Sequence, residues 1–154
     1  MGEKTLQVIV CQAALEAKKM ERLAAMTKGL EVWKLIIFKS ALAADAAPAG
    51  APTLTHLLKE FDASYVKLLI SKKETERRLK DVLWEPSIGT TLREVPGLGL
   101  NRLVIVFGPD GDFTPDEINK AKAAGYLTVG LGSLNLPAEE RAFYTLSCIH
   151  SLLC

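Results

Sequence analysis

Apolar residues fall along this chain in five short runs, Leu6–Cys11, Val32–Phe38, Tyr65–Ile70, Arg102–Phe107 and Tyr126–Leu131, and the intervening stretches carry apolar positions at helical spacing. The run Arg102–Phe107 is β-branched and lacks polar alternation, which implies burial on both faces, as in a parallel sheet. Met20, Leu23 and Thr27 mark a helix over Lys18–Lys28 that Gly29 stops, and Leu54, Leu57, Leu58 and Phe61 follow the i, i+3, i+4, i+7 rule of an amphipathic helix. The string Ser71-Lys72-Lys73-Glu74 has the form of a capping box and predicts a helix from there to about Trp84. A last helix, from about Ala138, carries Ala142, Leu146, Ile149 and Leu153 on one stripe and Thr145, Cys148 and Leu152 on the next. Five strands alternating with five helices predict an α/β fold, a mainly parallel sheet flanked by helices. An apolar face as wide as that of the last helix predicts a partner helix, because monomers seldom expose large contiguous apolar patches.

Two stretches interrupt the pattern. Residues 41–52 combine small residues with two prolines and a glycine and read as a low-complexity linker, while Glu85–Asn101, with two prolines and three glycines, reads as a long loop. The 154 residues suit a single domain, 1–154, a length that buries roughly 68–70% of the surface of the unfolded chain. A net charge of +1 gives no global case for nucleic acid, and the clusters Lys18-Lys19 and Lys72-Lys73 with Arg77-Arg78 read as solvated helix faces. Cys11, Cys148 and Cys154 lack metal-ligand spacing and suit a reduced, intracellular protein, cytoplasmic or organellar, with Cys11 and Cys148 in the core. No run reaches the roughly 18 apolar residues of a membrane span, and Leu6 stands where a myristoylation signal needs Ser or Thr.

The most informative string is Phe107-Gly108-Pro109-Asp110-Gly111-Asp112-Phe113-Thr114-Pro115-Asp116-Glu117. It places a glycine-containing turn between an apolar strand and a strongly signalled helix: Thr114 caps, Pro115 suits the first helical position and Glu117 completes the capping box. Gly125 closes the helix and another strand follows. Ligands of open α/β sheets bind beyond the carboxyl ends of such strands, so a binding cradle is expected at Gly108–Gly111. Asp110, Asp112 and Asp116 do not form a calcium loop, since Pro115 stands where glycine is required and Ala121 where the bidentate Glu is required. His56, His150, Trp33 and Trp84 read as structural residues, the tryptophans in core or helix-end packing.

From Val106 to Ile118, then Ala121–Tyr126 and Val129–Gly132, the chain resembles the ribosomal RNA methyltransferases that modify uridine at ring nitrogen 3, members of the SPOUT class. Ala17–Ser40, with Met20-Glu21-Arg22 and Thr27–Val32, resembles the same family's first helix and second strand, and Leu68–Lys72 falls where its third-strand cofactor loop belongs. The resemblance implies a SPOUT-like fold with a C-terminal trefoil knot. It also implies S-adenosylmethionine held against backbone at Ile70, at Gly108, Pro109, Asp110 and Gly111, at Leu131 and Gly132, and at Leu136. The implied partners are ribosomal RNA or a pre-ribosomal particle, and a second subunit, identical or not, docked on the last helix; no membrane is involved.

Departures from the family bear on chemistry. Its knot loop usually reads Gly-Pro-Arg-Ile-Leu-Arg-x-Glu-Thr-Ala, whereas Gly132–Ala142 lacks both arginines, keeps Glu139 and has Glu140 for threonine. Asp112 replaces the second glycine of the cradle, the linker replaces a helix, and the N-terminal RNA-binding barrel has no counterpart. Glu139 and Arg141 are the remaining candidates for catalysis. Two functions follow, a methyltransferase domain acting on ribosomal RNA uridine, and a catalytically silent SPOUT domain serving as an assembly or RNA-binding scaffold. A generic nucleotide- or anion-binding α/β domain is a third.

Overall fold

A computed structural model describes residues 6–40, 47–62, 64–84, 101–132 and 134–153. Strands β1 (Leu6–Ala13), β2 (Lys34–Phe38), β3 (Val66–Ile70), β4 (Asn101–Phe107) and β5 (Leu127–Val129) form one sheet in the order β2-β1-β4-β3-β5. Every neighbouring pair is parallel. Helices α1 (Ala17–Gly29), α2 (Leu54–Leu58), α3 (Leu79–Trp84), α4 (Pro115–Ala123) and α5 (Ala138–Leu153) connect and flank the strands.

Strand alternation divides the core between two faces. On one, Val8 and Val10 of β1 and Leu103, Ile105 and Phe107 of β4 pack with Leu23 of α1, Leu79 and Val82 of α3, and Ala142, Leu146 and Ile149 of α5. On the other, Ile9 and Cys11, with Val104 and Val106, pack against Leu54, Leu57 and Leu58 of α2 and Ala121 of α4. β4 is therefore apolar from Leu103 to Phe107, where both its faces are covered. Cys11 lies in this interior, and burial pushes its thiol up to about 12, so it stays protonated as a small apolar residue. Cys148 is partly buried against the core.

The capping box of α4 is complete: Thr114 Oγ1 accepts from the Glu117 amide at 3.2 Å, and the Thr114 amide donates to Glu117 Oε1 at 2.9 Å. The expected box at Ser71–Glu74 does not open a helix, and α3 begins only at Leu79. Ser71 Oγ accepts from the Lys73 amide at 3.1 Å, and the Glu74 carboxylate takes the amides of Glu76 and Arg77 at 2.9 and 3.1 Å. These local side-chain turns satisfy the backbone donors that a helix start would use.

Two further expectations are corrected. The stripe of α5 that suggested a partner helix is in the domain's own core at Ala142, Leu146 and Ile149, and among the described residues the large apolar side chains that α5 leaves exposed are Phe143 and Tyr144. Trp33 is 58% exposed rather than packed. It sits just ahead of β2, where its amide donates to the Val8 carbonyl at 2.9 Å, and its ring joins neither core cluster. Of the linker, residues 41–46 lie outside the described residues; its far end is tied to β2 through the Lys39 amide and Pro52 carbonyl at 2.8 Å. The long loop from 85 to 100 also lies outside the described residues, as does the side chain of Trp84.

Candidate functional site

The carboxyl ends of β4, β3 and β5 lie side by side, at Phe107, Ile70 and Val129. The chain leaves them in three segments, 108–114, 71–78 and 130–137, and these segments hold one another. The Ser71 amide donates to the Val129 carbonyl at 2.9 Å, and the Ser71 hydroxyl donates to Asp112 Oδ2 at 2.8 Å. Lys72 Nζ reaches the Asp110 carbonyl at 3.3 Å, and Lys73 Nζ reaches the Phe113 carbonyl at 2.5 Å. Three consecutive side chains thus join the exit of β3 to the turn after β4.

Segment 71–78 also runs along the exit of β5. The Gly130 amide donates to the Arg77 carbonyl at 2.8 Å and the Leu79 amide to the Gly130 carbonyl at 3.1 Å. A β-carbon on Gly130 would collide with the Glu74 carbonyl oxygen, so the backbones can lie this close only because residue 130 is glycine.

The start of α5 closes the arrangement. Asp110 Oδ1 accepts from the Ala138 amide at 2.8 Å, and Asp110 Oδ2 pairs with Lys19 of α1 at 3.0 Å. The Ala138 amide bond holds the Asp110 carboxyl below its ordinary value; burial opposes it, and Lys19 adds to the lowering. Arg141, 2% exposed, donates to the Pro109 carbonyl at 2.6 Å and the Leu136 carbonyl at 3.3 Å. Burial lowers its pKa while the nearby charges of Asp112 and Asp110 oppose that shift. From β1, Gln12 Nε2 donates to the Gly108 carbonyl at 3.0 Å.

These contacts bring some of the sequence-derived site residues together and leave others apart. Pro109, Asp110, Leu136 and Arg141 belong to one hydrogen-bonded network, with Pro109 and Arg141 buried and Leu136 half-buried. Leu131 and Gly132, with Arg78, Leu79, Leu134 and Tyr144, line a cleft of about 340 Å³ at the exit of β5, within the lower range of small-ligand sites. Ile70 is buried at the end of β3, Gly108 is buried under the Phe113 ring, and Gly111 is exposed at the turn. Glu139 pairs with Arg22 of α1 at 3.1 Å, which ties α5 to α1.

Gln12 and Tyr144 were not singled out from the sequence, and Lys73 was read there as part of a solvated helix face. Gln12 does carry a signal, as a polar residue near the end of an apolar strand; the place of Tyr144 and the contact of Lys73 with the Phe113 carbonyl arise only from the packing of distant segments.

A pH prediction follows from Asp110. Its folded-state pKa is depressed, so its contribution is complete above the unfolded value of about 3.9 and is lost as pH falls through the lower folded value. The difference in urea midpoint between the parent chain and Asp110→Asn is therefore expected to hold steady at neutral pH and to close below about pH 4. A difference independent of pH would show that the carboxylate charge is irrelevant to this tether.

A family model described as an RNA methyltransferase domain matches residues 46–150. No curated protein sequence matches the chain. Among solved structures, the chain is similar to the ribosomal RNA small subunit methyltransferase E of Neisseria gonorrhoeae bound to S-adenosyl methionine, with 17% identity and a TM-score of 0.73 over 96% of this chain and 66% of that one. A Legionella pneumophila protein assigned as a methyltransferase, in complex with its bound cofactor SAM, gives 16% identity and a TM-score of 0.71 over the same shares. A probable rRNA-methyltransferase from Porphyromonas gingivalis gives 19% identity and a TM-score of 0.67, covering 99% of this chain and 71% of that one. At these identities the similarity establishes a shared fold, and the chain spans just under two thirds of the first two structures.

Proposed function

Because the chain belongs to the RNA methyltransferase domain family, whose model spans more than half of it, we propose that it is an S-adenosylmethionine-binding methyltransferase domain acting on uridine N3 of ribosomal RNA. The observation that carries this reading is the meeting of three strand exits beside a cleft lined by Leu131 and Gly132. The residues present fit the cofactor. Leu79, Leu131, Leu134 and Tyr144 offer apolar surface for its adenosyl part next to the open backbone of Gly132. Backbone at Ile70, Gly108 to Gly111 and Leu136 completes the proposed binding set.

S-adenosylmethionine, when bound, supplies an electrophilic methyl group. The chain's own task is to hold the uracil ring in line and to stabilise the negative charge left when ring nitrogen 3 loses its proton. Losing one aimed donor of that kind typically costs about 10²–10³ in rate. Arg141 does not provide it, since its terminal nitrogens serve the Pro109 and Leu136 carbonyls. Glu139 is likewise paired with Arg22. A second subunit seated on the exposed face of α5, near Phe143 and Tyr144, supplies the missing groups in this reading. The same commitment of Arg141 and Glu139 favours the second reading, a silent domain that serves ribosome assembly as a scaffold.

Incubation with unmodified small-subunit ribosomal RNA or particles and methyl-labelled S-adenosylmethionine separates the two. The first reading expects label at uridine N3 above the protein-free blank. Cofactor binding with no transfer to RNA or particle would leave the scaffold.

A further inference from the structure

Arg78 and Lys80 stand on either side of Leu79, the first residue of α3, and both line the cleft at the exit of β5. Arg78 precedes the helix and so does not lie on a solvated helix face. Its backbone is pinned, since residue 78 bridges to Gly130 and the Leu79 amide donates to the Gly130 carbonyl at 3.1 Å. Its side chain runs along Gly132, where a β-carbon would stand 3.8–3.9 Å from Cδ, Nε and Cζ of Arg78. The fold therefore places this guanidinium against the cleft wall.

Charge is sorted along segment 71–81. Glu74, Glu76 and Asp81 line a separate cleft with Arg77 and Lys122, whereas no acidic residue lines the cleft of Arg78 and Lys80. The Asp81 carboxylate accepts from the Arg78 amide at 3.2 Å. Among the described residues neither the Arg78 nor the Lys80 side chain has a hydrogen bond or ion pair, and both residues are exposed. The other cations near the site differ: Lys72, Lys73 and Arg141 donate to carbonyls, and Lys19 pairs with Asp110. Two uncommitted positive charges thus face the cleft with no described carboxylate to neutralise them.

S-adenosylmethionine matches them poorly, because its sulfonium and ammonium outweigh its one carboxylate. An RNA strand matches them well: every nucleotide brings a phosphate, which the arginine fork and the lysine point charge both bind. We infer that Arg78 and Lys80 anchor the phosphate backbone of the RNA strand beside the cleft, fixing its position without reading its sequence. This rests on the proposed action on RNA and makes the two residues positioning residues.

Fluorescence anisotropy of the full chain with a labelled oligouridylate over a salt series tests this, alongside calorimetry with S-adenosylmethionine. Arg78→Gln combined with Lys80→Gln is expected to weaken RNA binding about tenfold and to reduce the slope of log affinity on log salt by about 1.4, two contacts at roughly 0.7 each in single strands. Its affinity for S-adenosylmethionine should match the parent's. Lys18→Gln combined with Lys122→Gln removes the same charge from exposed positions outside the cleft and should keep RNA affinity within about twofold of the parent's. Circular dichroism verifies the fold of both variants. Equal weakening by both pairs, no weakening by the first, or an equal loss of S-adenosylmethionine affinity in the first overturns the inference. A parent chain that binds S-adenosylmethionine but not the oligouridylate overturns it and keeps the cofactor site. A folded parent chain that binds neither overturns the inference and the underlying function together.

Discussion

Replacing Arg141 with alanine is expected to destabilise the domain by about 3–5 kcal/mol, the range for removing one partner of a buried charged arrangement. The side chain is 2% exposed and bonds the Pro109 and Leu136 carbonyls at 2.6 and 3.3 Å. Its removal strips donors from two carbonyls and takes a neighbouring positive charge from Asp112, whose carboxylate stays buried. Arg141→Lys keeps the charge but not the planar fork that reaches two carbonyls at once, so it should recover only part of the loss. Urea denaturation measures both. A midpoint for Arg141→Ala close to the parent's would show that the β4 turn does not depend on α5.

The second large effect concerns the packing of Phe113 on Gly108. Phe113 is fully buried, and a β-carbon on Gly108 would stand 3.0–3.3 Å from three atoms of its ring. Phe113→Ala should cost about 3–5 kcal/mol, as other buried aromatic truncations do. Gly108→Ala presses on the ring and should cost about 1–3 kcal/mol. Because both changes act on one contact, their effects should not add: Gly108→Ala should be less damaging in a Phe113→Leu background, where the ring is absent. Additive costs would mean that Gly108 is glycine for another reason.

The strands were legible because burial on both faces leaves an apolar run that needs no knowledge of neighbours, as in Arg102–Phe107. The helix after the β4 turn was legible because Thr114, Pro115 and Glu117 act locally, and the same reasoning failed at Ser71–Glu74, where the residue types match a capping box. There Ser71 turns to Asp112, 41 residues away, and Glu74 accepts from Thr128 Oγ1 at 2.5 Å, so tertiary partners decide the local structure. The α5 stripe was read correctly as apolar but assigned to a partner, because periodicity gives the face and not what covers it. Within the candidate site, the turn at Gly108–Gly111 could be found from its motif, whereas the commitment of Arg141 to carbonyls could not, since it depends on where the start of α5 meets that turn. Glycine at 108 reads from the sequence as close approach to a ligand, and the structure puts the Phe113 ring against it.

Calorimetric titration of the purified chain with S-adenosylmethionine, with Gly111→Arg as control, tests the proposed site most directly. The account predicts binding at micromolar affinity by the parent chain and its loss in the variant, with both melting cooperatively. No binding by the folded parent chain, or equal affinity in Gly111→Arg, would contradict it.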